Sequence, residues 1–331
     1  MNRCPSSPRL LALVLLGFVL CASAWGLEPT FRDIPYGPHE RNKFDLWQAP
    51  SQTPTPLIVH IHGGGFYEGG KGGFWGTKDA DLAKALESGV SVASIEYRFL
   101  KDAPVQDILR DSARAVQFMR HNAAQWNLDR TRVAAYGDSA GAGTSLWLAF
   151  HDDLADPNNA DPVLRESTRL TAAGGLIPQA TYDFSKWPAV LGIPEYVWFV
   201  SMPWIAPKYY HLWPRQTMLE EQGKKVRADL DMLSWIDAGD PPVYLNCPLE
   251  EPALNYPNLF QWLYEEGDRR FSKTGHRPSV NIDILHHPAH TRALERACNE
   301  KGVPCVAVYH DTPPEKKAGV YDFLLERLRR Q

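Results

Sequence analysis

Gly137-Asp138-Ser139-Ala140-Gly141 is the stretch on which the reading of this chain turns. Arg132-Val133-Ala134-Ala135-Tyr136 before it reads as a short buried strand, and residues 140–150 form an apolar run rich in Ala and Leu that can start a helix. A G-x-S-x-G pentapeptide between strand and helix is a nucleophile elbow. Small residues on both sides let the backbone turn sharply enough to hold a serine hydroxyl clear of the sheet. Ser139 is therefore the candidate nucleophile, the plain alternative being a Gly-rich turn that only joins two elements.

The segment upstream supplies what such a nucleophile needs. Leu57-Ile58-Val59-His60-Ile61 reads as a buried strand and runs into His62-Gly63-Gly64-Gly65-Phe66. Acyl transfer places negative charge on the carbonyl oxygen, and preset backbone N–H groups stabilise it, at a cost of about 3 kcal/mol when one donor is lost. Glycines offer such donors without a blocking Cβ, so Gly63, Gly64 and Gly65, with the Ala140 N–H, are the candidate oxyanion hole. No Gly-Lys-Ser/Thr follows the glycines, which argues against a phosphate cradle.

In these stretches the chain resembles the α/β-hydrolase esterases of the hormone-sensitive-lipase type, especially the secreted carbohydrate (feruloyl, acetyl) esterase branch. The resemblance rests on Arg41-Asn42-Lys43-Phe44-Asp45-Leu46, the glycine run, Ile95-Glu96-Tyr97-Arg98-Phe99, Ala103-Pro104, the elbow, and Asp240-Pro241-Pro242-Val243-Tyr244-Leu245. It is good over roughly residues 41–175 and thins beyond. It implies a mostly parallel eight-stranded sheet with helices on both faces, a serine mechanism without metal or organic cofactor, and small acyl or aryl ester substrates, including acetyl or feruloyl groups on polysaccharide. It also implies a supporting hydrogen-bonding role for Asp138.

The alternation of elements agrees with an α/β class. Residues 31–47 read as two edge strands, 77–88 and 104–127 as helices, and 90–97 and 172–177 as buried strands. Residues 178–237 break the alternation with Trp187, Trp198, Trp204, Trp213 and Trp235 cut by several prolines. This reads as a cap over the nucleophile, with Trp187, Trp198 and Trp204 as candidate substrate-binding faces. The alternative is a small aromatic core belonging to the insertion itself. A second surface insertion is expected at 252–281.

In this fold the acid follows the nucleophile and the histidine follows the acid. After the strand at 243–246, Glu251 falls at the matching distance from Pro242, with Glu250 beside it and Asp283 as fallback, although the family carries an Asp in a small turn there. Val306-Ala307-Val308-Tyr309 reads as the last strand, and His310, the only histidine after it, is the expected base, on a shorter loop than the family's. His286 and His287, before a helix at 291–300, are the alternatives. His287 and His290 have metal-ligand spacing but no evident third ligand.

With 331 residues and 44% hydrophobic content the chain can bury one large core, and a net charge of −4 with interspersed signs points to neither nucleic acid nor an anionic membrane surface. Residues 1–24 read as a signal peptide: Arg3 and Arg9, an apolar run at 10–20, then Ala22-Ser23-Ala24. Export to the periplasm or beyond is expected, with maturation near Trp25 and no stable membrane anchor, a lipoprotein link at Cys21 ranking lower. Cys298 and Cys305 either pair in that oxidising setting or, with Cys247, stay free. The sequence thus points to a secreted serine carboxylesterase. The rival is a catalytically impaired homologue that binds carbohydrate or a partner, and a peptidase on the same fold is weaker.

Overall fold

Six short, largely apolar runs pair in parallel in this molecule, and the inner ones are buried on both sides and must be covered twice. The computed structural model describes residues 27–74, 79–193, 195, 206–213, 217, 219–250, 284–317 and 319–329. Its strands are β1 (Phe31–Pro35), β2 (Lys43–Trp47), β3 (Thr55–Ile61), β4 (Ser91–Ile95), β5 (Leu128–Asp138), β6 (Ala172–Leu176), β7 (Val243–Cys247) and β8 (Cys305–Tyr309). They form one eight-stranded sheet in the order β1-β2-β4-β3-β5-β6-β7-β8. Only β1 and β2 run antiparallel to their neighbours; the rest are parallel.

The helices include α1 (Asp79–Glu87), α2 (Val105–His121), α3 (Ala140–Phe150), α4 (Trp187–Leu191), α5 (Ala206–Tyr210), α6 (Glu221–Asp229), α7 (Met232–Trp235), α8 (Pro288–Lys301) and α9 (Val320–Arg329). The period-two alternation of the strands sorts them. Leu57, Val59 and Ile61 of β3 face one core with Val116 of α2, Leu146 of α3 and Leu294 of α8. Ile58 faces the other with Leu82 of α1 and Leu324 of α9. Helices therefore cover both faces.

All eleven residues of α3 are buried, because the sheet lies below it and α7 and the end of α6 pack against it. Asp229 closes α6 with a carboxylate that takes both Arg110 Nη1 (2.9 Å) and Nη2 (3.0 Å) from α2, and His151 Nε2 (3.1 Å) at the end of α3. The His151 ring lies between Trp147 and Trp235, 4.6 Å from each. Among the described residues no helix is long and apolar enough to cross a membrane. Cys247, Cys298 and Cys305 form no disulfide among the described residues, and Cys298 and Cys305 are in hydrogen-bond contact.

Candidate active site

The elbow is built by close approach. β5 ends at Asp138 and α3 begins at Ala140, leaving Ser139 alone at the bend with φ 51° and ψ −116°. That is a strained conformation for a residue with a side chain. A Cβ on Gly137 or Gly141 would land on the Ile61 carbonyl oxygen at the end of β3, which explains why both flanking positions are glycine. Ser139 N–H donates to the Leu176 carbonyl (2.9 Å) at the end of β6, and the next residue, Ile177, also has a positive φ of 50°. The Tyr182 hydroxyl and Thr144 Oγ1 both donate to the Ala140 carbonyl, at 2.9 and 2.7 Å, and so fix the first turn of α3.

Alongside runs the glycine loop after β3. Gly64 and Gly65 have positive φ (103° and 61°), and a Cβ on Gly63 would sit 2.5 Å from Asp138 Oδ2. The loop's carbonyls are held from behind. The Tyr97 hydroxyl donates to the His62 and Gly63 carbonyls (2.6 and 3.1 Å), Tyr67 N–H to Gly64 (3.0 Å), Tyr209 hydroxyl to Gly65 (3.3 Å) and Leu100 N–H to Phe66 (2.9 Å). The N–H groups of Gly63, Gly64, Gly65 and Ala140 have no acceptor among the described residues.

Beneath this loop, the His62 ring stacks on Tyr97 at 4.2 Å and its Nδ1–H donates to the Gly63 carbonyl at 2.7 Å. Burial pushes His62 down to about 4, and Glu96 Oε2, 3.8 Å from Nε2, is too distant to hold a proton there. Glu96 is instead ion-paired with Arg41, whose guanidinium also lies 3.7 Å over the Phe99 ring.

The imidazole beside Ser139 is that of His286, with Nε2 2.7 Å from Ser139 Oγ. It stands just before α8, in the connection that follows β7. His310, the residue expected there, is half exposed at the end of β8; its Nδ1 faces the Pro248 carbonyl (3.2 Å) and its Nε2 Glu250 Oε1 (3.3 Å). The cause is the short turn after β8, in which Tyr309 N–H bonds Thr312 Oγ1 (2.8 Å) and Thr312 N–H returns to the Tyr309 carbonyl (3.2 Å). Glu250 is thus engaged with His310 at the surface. Glu251 and Asp283 lie outside the described residues.

The aromatic candidates divide as well. Trp187 is 1% exposed, donates from Nε1 to the Thr181 carbonyl (2.9 Å) and packs edge-on against Phe184 and His290, so it is an interior residue and not a substrate-binding face. Trp198 and Trp204 lie outside the described residues. The metal reading of His287 and His290 also finds no support, since both His290 nitrogens and His287 Nδ1 are engaged with backbone groups. No group of three or more His, Cys, Asp or Glu among the described residues is placed to hold a metal ion. Tyr97 and Gln179 are site-supporting residues that the sequence reading gave no role, and His290, read there only for its metal-ligand spacing, is a third. The one available signal was Tyr97's place in the Ile95–Phe99 stretch that carries the resemblance.

Comparison with known proteins agrees with this architecture. The BD-FAE family matches residues 44–172. A probable isoprenylcysteine alpha-carbonyl methylesterase of Arabidopsis thaliana is 28% identical over 167 residues, covering 50% of this chain and 34% of that one. Carboxylesterase NlhH of Mycobacterium tuberculosis is 33% identical over 104 residues, 31% of each chain. The matched region spans only about a third of these relatives' lengths. Among solved structures, a truncated carbohydrate esterase from gut microbiota superposes with a TM-score of 0.60 at 15% identity, over 92% of this chain and 99% of that one. With its sheet order and its strained serine between β5 and α3, the chain is an α/β-hydrolase by fold, carrying a BD-FAE match across residues 44–172.

Proposed function

We propose that this protein is an exported serine carboxylesterase acting on small acyl or aryl esters, among them acetyl or feruloyl esters of carbohydrate. The observation that carries the proposal is the 2.7 Å contact between Ser139 Oγ and His286 Nε2 at a strained elbow. The serine hydroxyl donates to the unprotonated Nε2, the oxygen attacks the ester carbonyl, and His286 takes the proton and returns it to the leaving alcohol. The N–H groups of Gly63, Gly64, Gly65 and Ala140 face the developing oxyanion. Water then attacks the acyl-enzyme with His286 again as base, releasing the acid. His286 Nδ1–H needs an acceptor to fix its tautomer, a role for which Glu251 and Asp283 are the candidates. The carbohydrate class draws support from the fold-level likeness to a carbohydrate esterase, and export from the signal-like residues 1–24.

The test is hydrolysis of p-nitrophenyl acetate and covalent labelling by a fluorophosphonate, each compared with Ser139→Ala. Activity and labelling that vanish in the variant support the esterase. Silence of the wild type in both assays would contradict it and favour a non-catalytic binder. Release of acetate or ferulate from acetylated and feruloylated oligosaccharides then ranks the substrate classes.

A further inference from the structure

The segment that carries His286 is fixed in an unusual way. Three consecutive backbone carbonyls are each held by a side chain from a different part of the fold. The Ile284 carbonyl faces His290 Nε2 at 2.9 Å, from the first turn of α8. The Leu285 carbonyl takes Gln179 Nε2 at 2.9 Å, from the loop after β6. The His286 carbonyl takes the Cys247 thiol, Sγ at 3.6 Å, from the end of β7. Fixing successive peptide planes fixes the dihedrals between them, and with these the direction in which the His286 side chain leaves the backbone.

His290 is the most constrained of the three. It is fully buried, and its ring packs edge-on at 4.7 Å against Trp187. Ala180 N–H points at its Nδ1 (3.3 Å), so Nδ1 is an acceptor and the ring proton sits on Nε2, where it is donated to the Ile284 carbonyl. The Ala180 N–H therefore sets the tautomer that grips the His286 segment.

We propose that His290 is a positioning residue that, as an Nε2–H imidazole and together with Gln179 and Cys247, aims His286 at Ser139. The role rests on the esterase reading of Ser139 and His286. His290 touches neither substrate nor the reacting atoms; it acts through the loop, where a displacement of about 1 Å at the base is worth up to about 100-fold in rate.

The test uses two amides that each copy one half of the imidazole. In His290→Gln the terminal amide reaches the position of Nε2 and keeps a donor for Ile284, while in His290→Asn the shorter amide copies Nδ1 and serves only Ala180. The measurements are kcat and KM on p-nitrophenyl acetate, the rate of fluorophosphonate labelling, and Tm. His290→Gln should stay within about threefold of wild type in kcat, and His290→Asn should lose about tenfold or more in both kcat and labelling rate with KM little changed. Equal losses in both variants, or no loss in either, would overturn the proposal. Should neither His290 variant fold, Gln179→Met removes the neighbouring donor at similar volume; slower labelling at unchanged KM is expected, and an unchanged labelling rate overturns the clamp. A wild type that labels only at Ser139, with indistinguishable Gln and Asn variants, sinks the positioning role alone. A wild type that does not label sinks the esterase reading with it.

Discussion

Ser139 occupies a backbone conformation that its neighbours enforce, and the enforcement can be measured one methyl group at a time. A Cβ at Gly141 meets the Ile61 and His62 carbonyls, both on backbone that cannot yield without moving β3. Gly141→Ala should therefore destabilise by about 3 kcal/mol or more, whereas Gly72→Ala, with nothing within 4 Å of its Cβ, should leave Tm nearly unchanged. Chemical denaturation of both checks this. The elbow was legible in the sequence because its requirement is local: glycines two residues either side of a serine, between a strand and a helix. The histidine was not. His310 and His286 both follow short apolar or turn segments, and only the tertiary path of the connection after β7 decides which imidazole reaches the serine. Trp187 misled for a related reason, since an indole in an insertion looks the same in sequence whether it lines a cleft or backs a buried ring.

Between elements, the Asp229 carboxylate joins α6 of the insertion to α2 and α3 through Arg110 and His151. His151 Nε2 lies 3.1 Å from Asp229 Oδ1 and Nδ1 lies 2.9 Å from the Asp152 carbonyl, and the ring packs against two indoles. These partners hold the Asp229 carboxyl below its usual range in spite of burial. Asp229→Ala strands the Arg110 and His151 donors, and a loss of about 2 kcal/mol is expected. Faster limited proteolysis within residues 206–235 should accompany it, and an unchanged cleavage rate would show that the insertion is held by its apolar contacts alone. The sequence marked residues 178–237 as a break in the alternation, through their aromatics and prolines. It did not announce this tie, because Arg110, His151 and Asp229 are far apart in the chain and carry no shared motif.

For the molecule as a whole, the mostly parallel eight-stranded sheet with helices on both faces was readable from alternation and resemblance, since each buried strand and each amphipathic helix declares its own period; the order of the strands was not. The pH response of stability is a global property with a local source. His62 is pushed down to about 4 by burial from an ordinary 6.5, so the unfolded chain binds the proton first. Its contribution to stability is complete above about 6.5 and falls away as pH drops toward 4, by about 3 kcal/mol in all. Asp240, pushed up to about 6 by burial, works in the opposite sense. The informative readout is therefore the difference between wild type and His62→Gln, whose stability should fall less between pH 6.5 and 4; parallel curves would contradict it. The imidazole beside Ser139 comes from the connection after β7, ahead of α8 and the last strand, while the imidazole after β8 stands at the surface. The most direct test is the rate of fluorophosphonate labelling of Ser139 in His286→Ala and His310→Ala, with folding confirmed for each. A fall of about 1,000-fold or more in His286→Ala beside a near wild-type rate in His310→Ala is the expected result; the reverse pattern would contradict it.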